Sequence, residues 1–110
     1  MIIDFRNIEE KVIENFRGSE KSLRLRAYAD EDNKIMMGRL EPGASVGLHT
    51  HEGNSEIVYV LSGSGKAVYK DETMKLEAGM CHYCPKGCGH MVINDGDEDM
   101  VFFAVVPEHK

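Results

Sequence analysis

The sequence predicts an all-β barrel or sandwich. Short stretches of alternating apolar and polar residues recur along most of the chain, and Gly-rich turns separate them at close intervals. Helical spacing is confined to one segment near the start.

That segment comes first. Ile8, Val12 and Phe16 stand at four-residue steps, so a short helical turn is expected from Ile8 to Phe16, ending at Gly18-Ser19. The pattern then changes to period two. Leu23, Leu25 and Ala27 alternate with Arg24, Arg26 and Tyr28, the mark of a half-buried strand. Asp30-Glu31-Asp32-Asn33 is a turn, Lys34 to Leu40 the next strand and Glu41-Pro42-Gly43 the next turn. Glu56 to Leu61 is strongly β in composition and ends at Gly63-Ser64-Gly65. Lys66 to Tyr69 and Met74 to Leu76 flank a hairpin turn at Lys70-Asp71-Glu72-Thr73. Met91 to Ile93 and Met100 to Val106 flank the acidic loop Asp95 to Asp99, which lacks the calcium-loop pattern and reads as a solvated turn. If Val58 and Val60 face inward, Ile57, Tyr59 and Leu61 form an apolar outer face that needs a cover. The N-terminal segment or a second copy of the chain, in a homodimer, could supply it.

The chain's 110 residues match the commonest size of one domain, so a single domain over 1–110 is expected. Such a chain can bury a core without disulfides or a structural metal, which makes any bound metal functional. A net charge of −6 argues against nucleic acid or an anionic membrane as partner. No apolar run is long enough to span a bilayer, and Met1-Ile2-Ile3-Asp4 lacks the layout of a signal peptide, so a cytoplasmic location is expected. The three cysteines, all between Cys81 and Cys88, are too few and too close for a disulfide framework and are read as reduced thiols.

One constellation carries chemistry. His49 and His51 are two apart, which in a strand places both imidazoles on one face. Glu56 follows a plausible turn at Glu52-Gly53-Asn54-Ser55, so its carboxylate could return to that face, and His90 comes after the turn Pro85 to Gly89. Imidazole and carboxylate together are metal-ligand chemistry, but spacing alone leaves ordinary surface or core histidines open.

The wider pattern is more specific. Gly43, His49, His51, Glu56 and Gly63 read G-x5-H-x-H-x4-E-x6-G, and Gly79, Pro85, Gly87, His90 and Asn94 read G-x5-P-x-G-x2-H-x3-N. These stretches, 43–63 and 79–94, resemble the two cupin motifs, complete and in order, and the short linker resembles that of small single-domain metal-binding cupins. The resemblance implies a double-stranded β-helix, or jelly-roll barrel, with a metal inside its mouth. It implies that His49, His51, Glu56 and His90 are the ligands and that the cofactor is a divalent transition metal, with Fe, Mn, Ni, Co, Cu and Zn all suited to that donor set. It assigns Gly43, Gly63, Gly79, Pro85 and Gly87 to turns, and Asn94 is expected to bond backbone at a strand end.

Other residues have blander readings. Cys81-x2-Cys84-x3-Cys88-x-His90 invites a zinc–thiolate site, but Cys81 and Cys84 would point to opposite faces of a strand. Buried thiols acting as small hydrophobes are the favoured reading, with Cys88 the exception for its closeness to His90. His82 is read as a non-ligand that could still line the pocket, and His109 as solvated. Six of the seven methionines lie in or beside strands and are assigned to the core. Lys86 is the only base near the motifs, which counts against sugar phosphates.

Two functions fit. One is a metal-dependent enzyme acting on a small oxygenated molecule, in the manner of the dioxygenases, isomerases and decarboxylases that the resemblance includes. The other is a non-catalytic cupin that binds a small ligand. No helix-turn-helix pattern accompanies the barrel.

Overall fold

The computed structural model describes residues 1–14, 22–50 and 52–110, the side chains at 47–49 excepted. Among these residues a 3-10 turn, Phe5–Asn7, precedes the strands β1 Lys11–Ile13, β2 Leu23–Ala29, β3 Asn33–Leu40, β4 Ser45–Thr50, β5 Glu56–Ser62, β6 Ser64–Tyr69, β7 Glu72–Glu77, β8 Cys81–Cys84, β9 Gly89–Ile93 and β10 Met100–Pro107. They build two antiparallel sheets, one in the order β1-β2-β3-β10-β5-β8 and the other in the order β4-β9-β6-β7. From β3 onward the chain crosses repeatedly between the sheets, with only β6 and β7 remaining together as a hairpin. That alternation makes the fold a jelly roll.

Period-two patterning decides what lies between the sheets. Leu23 and Leu25 of β2, Met36 and Leu40 of β3, Val58 and Val60 of β5 and Met100, Phe102 and Ala104 of β10 are buried from one sheet; Ala67, Leu76 and Val92 are buried from the other. A fully buried Leu or Val of this kind contributes roughly 1.5–3 kcal/mol. Gly38 faces Phe102 across the β3–β10 ladder, and a Cβ on it would come within 2.5 Å of the ring. The missing side chain is what lets the aromatic ring lie across the core.

Turns follow the motif glycines. Gly43, Gly63, Gly79 and Gly87 all have φ between 79° and 93°, where a side chain is strained. The β6–β7 hairpin is tighter than expected: Glu72 and Thr73 belong to β7, and Lys70 and Asp71 turn the chain with φ of 50° and 61°. Positive φ at both central residues gives the turn a twist that matches the strands.

The N-terminal segment departs from expectation. Its helical turn lies earlier, at Phe5–Asn7, where the Asp4 carboxylate accepts from the Arg6 amide at 3.0 Å. Val12 instead sits in β1, paired with Arg24 of β2. Ladder bonding along a ready sheet edge satisfies backbone groups that two isolated helical turns could not hold in water. Phe16 and Gly18-Ser19 lie outside the described residues.

The same segment covers part of the outer face of the larger sheet. Phe5 packs edge-on to Phe103 at 6.3 Å, and Arg26 donates to the carbonyls of Phe5 and Ile8. Ile57, Tyr59 and Leu61 remain about 40% exposed beside Tyr83 of the edge strand β8. The methionine assignment needs correction too. Met36 and Met100 are core, Met37, Met74 and Met91 are half-buried, and Met80 is exposed because it follows the Gly79 turn at the rim.

Candidate metal centre

The site is built where the two sheets face each other at the open end. On β5, Glu56 shares the inward parity of Val58 and Val60, so its carboxylate enters the barrel from the larger sheet. On β9, His90 shares the inward parity of Val92 and enters from the smaller sheet with 1% of its surface exposed. The two meet across the gap: Glu56 Oε1 lies 2.9 Å from His90 Nε2. An ionised carboxylate only accepts, so His90 Nε2–H is the donor of this bond.

The other two expected ligands lie on or just after β4. His49 stands directly opposite His90 in the β4–β9 ladder, after an irregularity between Val46 and His49. His51 lies outside the described residues. Among the described residues there is no group of three or more His, Cys, Asp or Glu poised around a metal position. The structure therefore brings Glu56 and His90 together and sets the backbone of His49 beside them.

A cavity of about 450 Å³ opens beside this pair. Leu25, Met36, Val58, Val92 and Phe102 give it apolar wall, and Lys34, Glu52, Glu56, His90 and Glu108 add charged and polar groups. Lys34 is the only Lys or Arg among the described lining residues. Lys86, the one base near the motifs in sequence, is exposed in the β8–β9 turn and is not among the described lining residues. The signal for Lys34 was its parity: it lies two before Met36 on the inward face of β3, at the strand's open end.

Sequence reading also undervalued His82. In the β5–β8 ladder it pairs with Val58, so it faces inward, and it is buried. Its Nε2 lies 3.0 Å from His90 Nδ1, the rings stack at 27°, and Tyr69 packs edge-on against it. Burial depresses the His82 pKa below the ordinary imidazole value; nearby His90 adds to this and Glu56 opposes it. Cys84 has the same parity as His82, and that alternation was the available signal.

The cysteines divide. Cys84 is buried, donates to the Cys88 carbonyl at 3.4 Å, and is pushed up to about 11, chiefly by burial. Cys81 faces outward and is exposed, so the buried-hydrophobe reading fails for it: strand alternation turns it away from Cys84. Cys88 is half-buried and accepts from the Tyr69 hydroxyl at 3.6 Å. Asn94 is fully buried and donates to the carbonyls of Leu40 and Glu98, each at 2.8 Å, while its side-chain oxygen accepts from Gly96 N–H. His109, expected to be solvated, is exposed yet lies 2.9 Å from Ser55 Oγ, and its amide donates to the Gly53 carbonyl. The chain's last residues thus bracket the loop that leads into Glu56.

A jelly roll with imidazole and carboxylate converging inside its mouth defines the cupin class, and a cupin-domain family model matches residues 36–106. The chain belongs to that family. It is 31% identical to an oxalate-binding protein of Thermotoga maritima over 96% of this chain and 93% of that one. It is 37% identical to the oxalate decarboxylase of Bacillus subtilis, over 60% of this chain but 18% of the enzyme. A crystal structure described as a predicted oxalate decarboxylase from Thermotoga maritima superposes with a TM-score of 0.92 at 29% identity, covering 98% of this chain and 99% of that one.

Proposed function

We propose that the chain binds one divalent transition metal ion through His49, His51, Glu56 and His90, and that the cavity beside it takes a small oxygenated molecule, with oxalate as the first candidate. The observation that carries this reading is the Glu56–His90 pair, an acid and an imidazole from facing sheets meeting at 2.9 Å beside a cavity of mixed apolar and polar lining. The donor chemistry fits: both groups face the cavity, and the gap between them is where an ion would sit, with the His90 hydrogen no longer on Nε2. When bound, such an ion supplies Lewis acidity to ligand oxygens.

The chain's own residues account for the rest. Val58 and Val92 exclude water and strengthen polar contacts inside the cavity, and Lys34 offers the positive charge that a carboxylate ligand needs. The two curated relatives above are both named for oxalate, and the one matched end to end is named for binding it. Turnover is the second reading. Glu56 favours it, as a carboxylate at the cavity wall able to hold or deliver a proton.

The test is cobalt-loaded protein titrated with oxalate. The expected result is one ion per chain and a saturable change in the cobalt spectrum, with both lost in His49→Ala/His51→Ala. Unchanged stoichiometry in that variant, or no spectral response to oxalate or other oxygen chelators, would overturn the reading. Formate and carbon dioxide released from oxalate would mark turnover; binding without them would mark a binding protein.

We also place a second copy of the chain on the apolar outer face around Ile57, Tyr59, Leu61 and Tyr83. Its continuity with Tyr83 on the edge strand β8 supports it. No helix among the described residues is long and apolar enough to cross a membrane, and a cytoplasmic location remains our reading.

A further inference from the structure

We propose that His82 is a positioning residue for the metal centre: it sets the tautomer of His90, and the hydrogen bond between the two rings reverses direction when the metal binds. The inference rests on the reading of His90 as a ligand.

It follows from counting hydrogens. His82 Nε2 and His90 Nδ1 are 3.0 Å apart, and both rings are buried. Two lone pairs would repel at that distance, as would two N–H groups, so one hydrogen lies between them. With a hydrogen on His90 Nε2 and no ion there, that nitrogen donates to Glu56 across the 2.9 Å gap. Neutral His90 then presents a lone pair at Nδ1, and the hydrogen of the inter-ring bond belongs to His82 Nε2. An ion on His90 Nε2 needs the lone pair there instead. The His90 hydrogen must move to Nδ1, and His82 Nε2 must become the acceptor, with its own hydrogen at Nδ1. Each ring carries one hydrogen before and after, so the pair changes tautomer together with no net gain or loss of protons.

Metal-ligating histidines almost always donate the second ring N–H to a carboxylate, a carbonyl or water. A histidine in that place differs because it can both donate and accept. It can satisfy His90 in the empty and the loaded site alike, whereas a carboxylate or carbonyl could serve only the loaded one. Place as well as distance supports the role. The β5–β8 register puts His82 beside Val58 and near Glu56, so one sheet delivers both of these neighbours of His90. The stacking of the rings and the edge-on packing of Tyr69 confine His82 where it stands.

Two measurements test it. The first is nitrogen-15 NMR of the histidine rings of the full chain, empty and loaded with zinc. The proposal expects His82 to carry its hydrogen on Nε2 when empty and on Nδ1 when loaded; an unchanged His82 tautomer in protein holding one zinc overturns it. The second is zinc affinity by competition with a chromophoric chelator, in His82→Gln and His82→Leu. A glutamine amide can donate or accept near the same point, so His82→Gln should stay within about threefold of the unsubstituted protein. Leucine can do neither, so His82→Leu should lose about 10- to 100-fold. Equal affinity in His82→Leu, or a loss in His82→Gln as large as in His82→Leu, overturns the proposal. If His82→Leu does not fold, the NMR experiment and His82→Gln still decide. Failure of the unsubstituted protein to bind zinc would instead remove the metal reading, and this inference with it.

Discussion

Asn94 shows what one residue holds together. Its amide joins the end of β3, through the Leu40 carbonyl, to the acidic loop at Glu98, while its backbone bonds Gly43 and Ala44. Asn94→Asp keeps an acceptor for Gly96 but cannot donate, leaving two carbonyls facing a buried carboxylate. The expected cost is about 2–3 kcal/mol, read from urea unfolding; a loss below about 0.5 kcal/mol would mean that water replaces the amide. The cysteines give a second test. Cys84 is buried with its pKa pushed to about 11, so at pH 8 its thiol stays protonated and shielded. Iodoacetamide should label exposed Cys81 quickly and leave Cys84 unlabelled until the protein unfolds. Rapid labelling of Cys84 would mean that the β8 region opens readily.

At the level of elements, the site depends on one loop and four strands, of which β4 carries His49 opposite His90. β5 and β9 aim Glu56 and His90 at each other, and β8 adds His82. The loop before Glu56 is held from outside by the chain's last residues. Asn54 bridges to Glu108, Asn54 Nδ2 donates to the Glu108 carboxylate at 3.2 Å, and His109 reaches both Gly53 and Ser55. Removing residues 108–110 should therefore speed hydrogen exchange over 52–55 and weaken metal affinity several-fold, while leaving exchange in the β6–β7 hairpin unchanged. Unaltered exchange over 52–55 would show that the loop is rigid by itself. In acid, metal affinity should fall in both forms, because imidazoles must be neutral to ligate.

For the whole molecule, the open question is what meets the outer face of the larger sheet. Among the described residues, the N-terminal segment packs on Phe103, while Ile57, Tyr59 and Leu61 of β5 and Tyr83 of β8 stay exposed. A second copy would bury both the β5–β8 face and, by symmetry, its counterpart. Light scattering at micromolar concentration should give twice the chain mass, and Leu61→Glu should give the single mass, with the circular dichroism spectrum unchanged. A monomeric unsubstituted protein would refute this.

The alternation of residues 23–28 and 56–61, together with the motif glycines, made the strands, their inward faces and the tight turns legible in the sequence. Period-two burial and positive φ are local properties, written residue by residue. The cupin motifs likewise marked Glu56 and His90, which the fold brings together from 34 positions apart. The N-terminal segment was misread because its four-residue spacing carries no information about the free edge of β2, to which β1 pairs. Parity carried the inward direction of His82 and Lys34 but not their neighbours, and the bracket formed by His109 left no sequence signal. Their roles depend on which strand lies beside which, and on what reaches across between the sheets. Those relations are set by long-range pairing, and only the tertiary structure decided them.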